Sequence, residues 1–388
     1  MSEPATPEPD AGGRLSRRDY WLLPLVSLLT VIVMFTITEV STRIAWPMDE
    51  ENVCAVPTGN AEGYYFKTNC TARFKNAEGP WATYNYNDCG YRSATSCGPV
   101  APGTLRIAIL GSSVAQGLDV PYEDTYYDIA AKELSRRCGR PIDVQNLGKP
   151  AASPIYAYRK VQEALKLKPQ VVLLLLAPFD IEQRIDPQAL ADRNQPEKPV
   201  SSNAVHYEMS LMRKLQSLIL GSRTLLVAEH YLLQDRETFL RLYMNYGDKA
   251  DFLRVPFTPA WQQRFDDMNL IIGDMAGAMK TAGVPFVVIP VPSRAEAALL
   301  SAPHRPPGTD PAAFGHALEK IASDHGAAYV DLMEPFQNTP DSQNLFLVVD
   351  GHVAPAGQKL IADHLVKKLL DGTVPELAQC AGATGSQP

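Results

Sequence analysis

Several kinds of chemistry are missing from this sequence. The six cysteines form no Cys-x-x-Cys pair, none has a histidine beside it, and no helical stretch carries two histidines at zinc-binding spacing. A metal centre is therefore not expected, and no motif asks for a cofactor. No Lys/Arg block follows the short cluster Arg14, Arg17 and Arg18, and the formal net charge is -7, so nucleic acid is not an expected partner. Charge itself is lacking between Tyr20 and Ile37, which read as leucine, valine, isoleucine and phenylalanine with one proline.

That uncharged stretch is the clearest physical signal. About 20 helical residues at about 1.5 Å each match a hydrocarbon core of roughly 30 Å, so residues 20–40 are expected to span a membrane. The preceding arginines put the N-terminus (1–19, rich in Pro, Glu, Gly and Ser) in the cytoplasm as a disordered tail, and everything after the span outside. A cleaved signal peptide is the rival, but no A-x-A type site follows closely. A buried globular helix is the other, set against apolar residues on all sides of the helix.

All six cysteines fall on the predicted outer side, where disulfides form. Fifteen connectivities are open; local pairing gives Cys54 with Cys70 and Cys89 with Cys97, leaving Cys138 for Cys380. Residues 41–103 read as an irregular, stapled leader packed on the main domain. Within it Asn69-Cys70-Thr71 fits the N-glycosylation pattern, although the cysteine is a candidate for bridging.

From Thr104 short apolar runs alternate with helical patterns, the signature of a parallel sheet covered by helices. The 388 residues, 45% of them apolar, suffice for one large domain, taken as 104–372 with a tail at 373–388. Strands are expected at Leu105 to Leu110, Ile142 to Leu147, Val171 to Leu176, Pro285 to Pro290 and Ala328 to Leu332. Helices are expected at Tyr126 to Arg137, Tyr156 to Leu167, Pro259 to Ala282 and Pro355 to Leu370. An insertion at 181–255, helical from Leu211 to Tyr246, reads as a cap on the sheet, with a lid or membrane-surface contact as alternatives.

In such a sheet reactive groups belong at the carboxyl ends of the strands. There, after the first strand, Gly111-Ser112-Ser113 with Gly117 makes a small-residue turn that presents a serine, though Gly-Ser-Ser is also an ordinary turn. A serine hydroxyl needs a base, and His352 stands in Asp350-Gly351-His352, where an aspartate is near enough to hold the imidazole. The plain alternative is a capped turn with a solvated histidine. His364 beside Asp363 and His325 beside Asp324 read as surface helix positions, and His206, His230, His304 and His316 as structural.

The order of these pieces resembles the SGNH/GDSL hydrolase family: Gly111-Ser112-Ser113 is similar to its first block, Asn146-Leu147-Gly148 to its second, and Asp350 and His352 to its last. The resemblance covers about Thr104 to Leu370. It implies a flavodoxin-like three-layer α/β sandwich with a central parallel sheet, Ser113 as nucleophile, His352 as base, Asp350 as its orienter, and the N–H groups of Ser113 and Gly148 as oxyanion donors. Two positions depart. Ser112 stands where the family has aspartate, and Ala177-Pro178-Phe179-Asp180 places Phe179 where an asparagine amide would bind the oxyanion, a donor typically worth about a hundredfold to a thousandfold in rate. The single residue between Asp350 and His352 resembles membrane-linked members that move acetyl groups on cell-surface polysaccharides, including alginate O-acetyltransferase relatives. By that analogy the expected partners are an acylated carbohydrate and polysaccharide biosynthesis machinery. The alternatives are a non-catalytic glycan-binding or scaffold subunit and a lipid-directed esterase or thioesterase.

Overall fold

The computed structural model describes residues 16–49, 52–58, 63–195 and 221–380. The chain falls into two compact units, one of Met1–Pro47 with Ser210–Ala228, the other of Met48–Met209 with Glu229–Pro388. In the first, the uncharged stretch lies inside one helix, Asp19–Ala45, none of whose residues is buried. By length and composition it can cross a membrane, with a mean hydropathy of 2.2 over its most apolar window. Near its end, Glu39 accepts hydrogen bonds from Ser222 Oγ at 2.8 Å and from the backbone N–H of Arg223 at 3.0 Å and Thr224 at 2.9 Å. A carboxylate from another segment thus caps the start of the helix Arg223–Leu233.

The second unit is built on a parallel sheet of five strands, β5 (Leu105–Gly111), β6 (Ile142–Asn146), β7 (Val171–Leu176), β8 (Phe286–Pro290) and β9 (Ala328–Tyr329), ordered β6-β5-β7-β8-β9. That is the doubly wound order of the flavodoxin type. Every residue of β5, β7 and β8 is buried. Alternate side chains serve two separate cores. Ala108, Leu110, Val172, Leu174 and Val288 face the helices Pro154–Arg159, Val161–Lys166, Pro259–Ala282 and Ala313–Asp324; Ile107, Ile109, Leu173, Leu175 and Ile289 face Tyr126–Cys138 and Pro355–Lys368. Burial on both faces is why the strands read as continuous apolar runs.

Most expected elements form within a residue or two of their predicted ends. The exceptions have local causes. β9 stops at Tyr329, because the chain turns after Val330 and Leu332 already caps the helix Met333–Gln337. The helix expected over Tyr156 to Leu167 is two helices meeting at Lys160.

The leader is not irregular. It holds two antiparallel hairpins, β1 (Ala55–Pro57) with β2 (Tyr64–Phe66) and β3 (Cys70–Lys75) with β4 (Trp81–Tyr86). The alternation of exposed and buried positions along β4, from Trp81 to Tyr86, is the half-buried strand pattern. Cys54–Cys70, Cys89–Cys97 and Cys138–Cys380 are bonded, the local pairing set out above. Cys70 of the glycosylation-like triplet is therefore bridged. Of the insertion, Arg223–Leu233 and Arg236–Tyr243 are helical, while 196–220, with His206, lie outside the described residues, as do 1–15 and 381–388. His364 is not a surface position: it is 8% exposed, packed near Glu334.

Candidate active site

The carboxyl edge of the sheet collects the candidate residues. β5 ends at Gly111, whose φ of +141° favours glycine and where a Cβ would meet the Leu175 carbonyl oxygen at 2.4 Å. The chain turns there into the short helix Ser113–Gln116, capped by Ser112 Oγ, which accepts from Val114 N–H at 3.4 Å, and closed by Gly117 in the left-handed region. Ser113 is thereby set at the first helical position, 6% exposed, with its backbone N–H among the donors that have no intrahelical acceptor.

The histidine arrives from the far end of the chain. Between Leu347 and His352 the backbone closes a tight loop, with Leu347 N–H donating to the His352 carbonyl at 2.8 Å and Gly351 at φ +84°. Asp350 Oδ1 accepts from the backbone N–H of His352 at 3.0 Å and lies 2.6 Å from its Nδ1, so one oxygen fixes both main chain and ring. His352 Nε2 lies 2.8 Å from Ser113 Oγ. The structure thus brings together the three side chains proposed from the sequence, in the geometry a hydroxyl, an imidazole and a carboxylate need for proton transfer.

Charge favours the imidazolium. Burial works against it, but the hydrogen bond and charge of Asp350, with the carboxylates of Asp119 and Asp180, hold the His352 pKa above its usual value. Burial likewise pushes Asp350 upward, and the interaction with His352 outweighs this, so its carboxyl titrates below the normal range. Asp180 accepts from Ala177 N–H at 2.7 Å and from Ser112, while burial pushes its pKa up to about 6.

Of the two expected oxyanion donors, Gly148 has an acceptor inside the protein. Gly148 N–H is given to Asn146 Oδ1 at 2.9 Å, in a buried loop that Asn146 Nδ2 also ties to the Ala115 carbonyl at 2.7 Å. Its glycine serves close packing instead: a Cβ there would lie 2.9 Å from Gln116 N. Phe179 offers no donor, and its ring stands edge-on to His352, with centroids 5.7 Å apart. Of the donors implied by the family pattern, Ser113 N–H remains, in the first turn of a helix where N–H groups have no intrahelical acceptor.

Four groups beside the site were not singled out from the sequence. Asp119, at φ +63°, lies 4.0 Å from His352 Nδ1, and its N–H donates to Tyr84 Oη at 2.7 Å. Asn76, from the β3–β4 turn, donates to Asp119 Oδ2 at 3.2 Å and also hydrogen-bonds Asp350. Glu78 of the same turn accepts from the N–H groups of Val349 at 2.9 Å and Asp350 at 3.0 Å. Arg294 donates to the Val348 carbonyl at 2.5 Å. Burial lowers its pKa to about 10 against the opposing effect of Glu78. Asp119, Asp350 and His352 also lie close enough together to bind a cation, but each carboxylate already has a hydrogen-bond or charge partner in the histidine and Asn76.

A serine on the turn after β5 of a flavodoxin-like parallel sheet faces an Asp-x-His motif ahead of the last long helix. The strand order and the positions of the first and last blocks agree with the resemblance drawn from the sequence. No family model matches the chain, and no curated protein matches it significantly. Solved structures similar to it include a lipase/acylhydrolase from Enterococcus faecalis at 12% identity, covering 68% of this chain and 95% of that one, with a TM-score of 0.36. TesA is similar at 14% identity, over 69% and 99% of the two chains, with a TM-score of 0.38. A catalytic mutant of Axe2, an acetylxylan esterase from Geobacillus stearothermophilus, is similar at 12% identity, over 70% and 96%, with a TM-score of 0.40. At these values the likeness says nothing of substrate.

Proposed function

We propose that the protein is a membrane-anchored, extracytoplasmic acyl-ester enzyme, an esterase or O-acyltransferase, acting on acetyl or other acyl esters of an exported or envelope polysaccharide. The observation that carries this reading is the continuous contact from Ser113 Oγ through His352 to Asp350 at the carboxyl edge of the sheet. In the reaction Ser113 Oγ attacks the ester carbonyl and its proton passes to His352 Nε2. The carbon–oxygen bond to the departing alcohol breaks, that oxygen takes the proton, and an acyl-Ser113 remains. A water or a sugar hydroxyl, deprotonated by the same nitrogen, then releases the acyl group. The apolar helix Asp19–Ala45, the flanking arginines and the three disulfides support an outward-facing anchored domain.

The test is acetate release from, or acetyl transfer to, an oligosaccharide by the wild type and by Ser113→Ala. The wild type turns over, and the variant loses about a thousandfold or more. Equal rates in the two proteins would remove Ser113 from the chemistry. A second reading, a glycan-binding subunit without turnover, is favoured by one observation: Phe179 and the committed Gly148 N–H leave the oxyanion poorly served. It predicts saccharide binding unchanged in Ser113→Ala and no hydrolysis by either protein.

A further inference from the structure

The loop that carries Asp350 and His352 is gripped from outside the triad by two opposite charges. Glu78 reaches it from the leader with a side chain only 3% exposed and accepts both the Val349 and Asp350 N–H groups through Oε2. Its other oxygen, Oε1, lies 2.5 Å from His230 Nδ1, and His230 Nε2 in turn meets Gln234 at 2.8 Å. Arg294, beyond β8, donates to the Val348 carbonyl between these contacts and, through its other nitrogen, to the Leu233 carbonyl at 2.5 Å. The Arg294 guanidinium stacks over Phe239 at 3.9 Å. So each of the two charges holds the loop with one end and the stretch His230–Leu233 of the insertion with the other.

We propose that Glu78 is a positioning residue, assisted by Arg294, which fixes the Asp350–His352 loop and makes the placement of His352 depend on His230 of the insertion. This rests on the serine-enzyme reading for its effect on rate, though not for its effect on the loop. Three backbone polar groups in two consecutive peptide units, the Val348 carbonyl and the Val349 and Asp350 N–H groups, are satisfied by these two side chains, so loss of Glu78 leaves two backbone donors without their charged acceptor. The imidazole then samples positions away from Ser113 Oγ, and rate falls while substrate binding does not.

Amide hydrogen exchange over 345–353 and steady-state kinetics on an acetyl ester, in the full chain, separate the outcomes. In Glu78→Ala, exchange at Val349 and Asp350 speeds about ten- to a hundredfold, and kcat falls by a similar factor with KM within about twofold. Glu78→Gln, which keeps an acceptor oxygen, restores most of both. His230→Ala, at a partly exposed position that leaves the core intact, gives a smaller change of about three- to tenfold, and adds nothing in the Glu78→Ala background. Unchanged exchange in both Glu78→Ala and His230→Ala overturns the proposal, as does a loss confined to KM. Should the wild type turn over no ester at all, the enzyme reading fails, and the exchange measurement still decides whether Glu78 holds the loop.

Discussion

The sheet and the leader hold their shapes by different means. In β5, β7 and β8 each residue is buried on one face or the other, and the strands are held by parallel ladders and two apolar cores. The leader has hairpins of two strands, which cannot stand alone in water, and a small core of Cys54, Ala72, Ala82, Tyr84 and Tyr86. It is completed by two cystines and by Arg92, which lies fully buried over the Tyr84 ring at 3.7 Å and donates to the carbonyls of Gln116 and Val120 at 3.0 and 2.7 Å. The division of labour follows. The sheet places Ser113 at its edge; the leader supplies Asn76 and Glu78, which hold the loop that carries His352.

That contrast can be broken from the sheet side first. Leu174→Ala, in the middle of β7 and wholly buried, is expected to cost about 3–5 kcal/mol and to lower the single melting transition of the whole unit. Replacing Cys54 and Cys70 by Ala opens a loop of 16 residues and should cost about 3 kcal/mol. Its signature is different: activity and protease resistance of the leader fall while near-native helix and sheet circular dichroism persists. A third change sharpens the sheet side. Glu296 is 1% exposed and burial pushes its pKa up to about 8. The fold then keeps a proton that the unfolded chain releases near pH 4.5, so stability is full at low pH and declines as pH rises toward 8. Glu296→Gln should flatten that decline by roughly 3–5 kcal/mol in pH-dependent denaturant melts. The smallest effect is on the leader's side. Asp119→Asn removes one of the carboxylates that raise the His352 pKa, so the acid limb of kcat/KM against pH should move to lower pH.

Legibility in the sequence tracks the same line. Val171 to Leu176 declares itself as a short continuous apolar run bounded by polar residues and Pro, and Pro259 to Ala282 as a long segment with helical spacing of its apolar residues. The meeting of Ser113, Asp350 and His352 was legible because residues of these types lie at strand ends in a set order. The first leader hairpin is hard to read because β1 and β2 are only three residues long each, too short for an alternating pattern to show. Glu78 and Asn76 were missed because Asn76-Ala77-Glu78-Gly79-Pro80 reads as a plain turn; their task depends on a loop some 270 residues away. Gly148 was assigned a donor's part from the block pattern, whereas Asn146 two residues earlier takes its N–H, a contact that only coordinates reveal.

The most direct measurement is covalent labelling by a serine-directed phosphonate, with the adduct located by peptide mass spectrometry. The geometry predicts one adduct, on Ser113, forming about a thousandfold more slowly in His352→Ala than in the wild type. An adduct on another residue, or equal labelling rates in the two proteins, would contradict it.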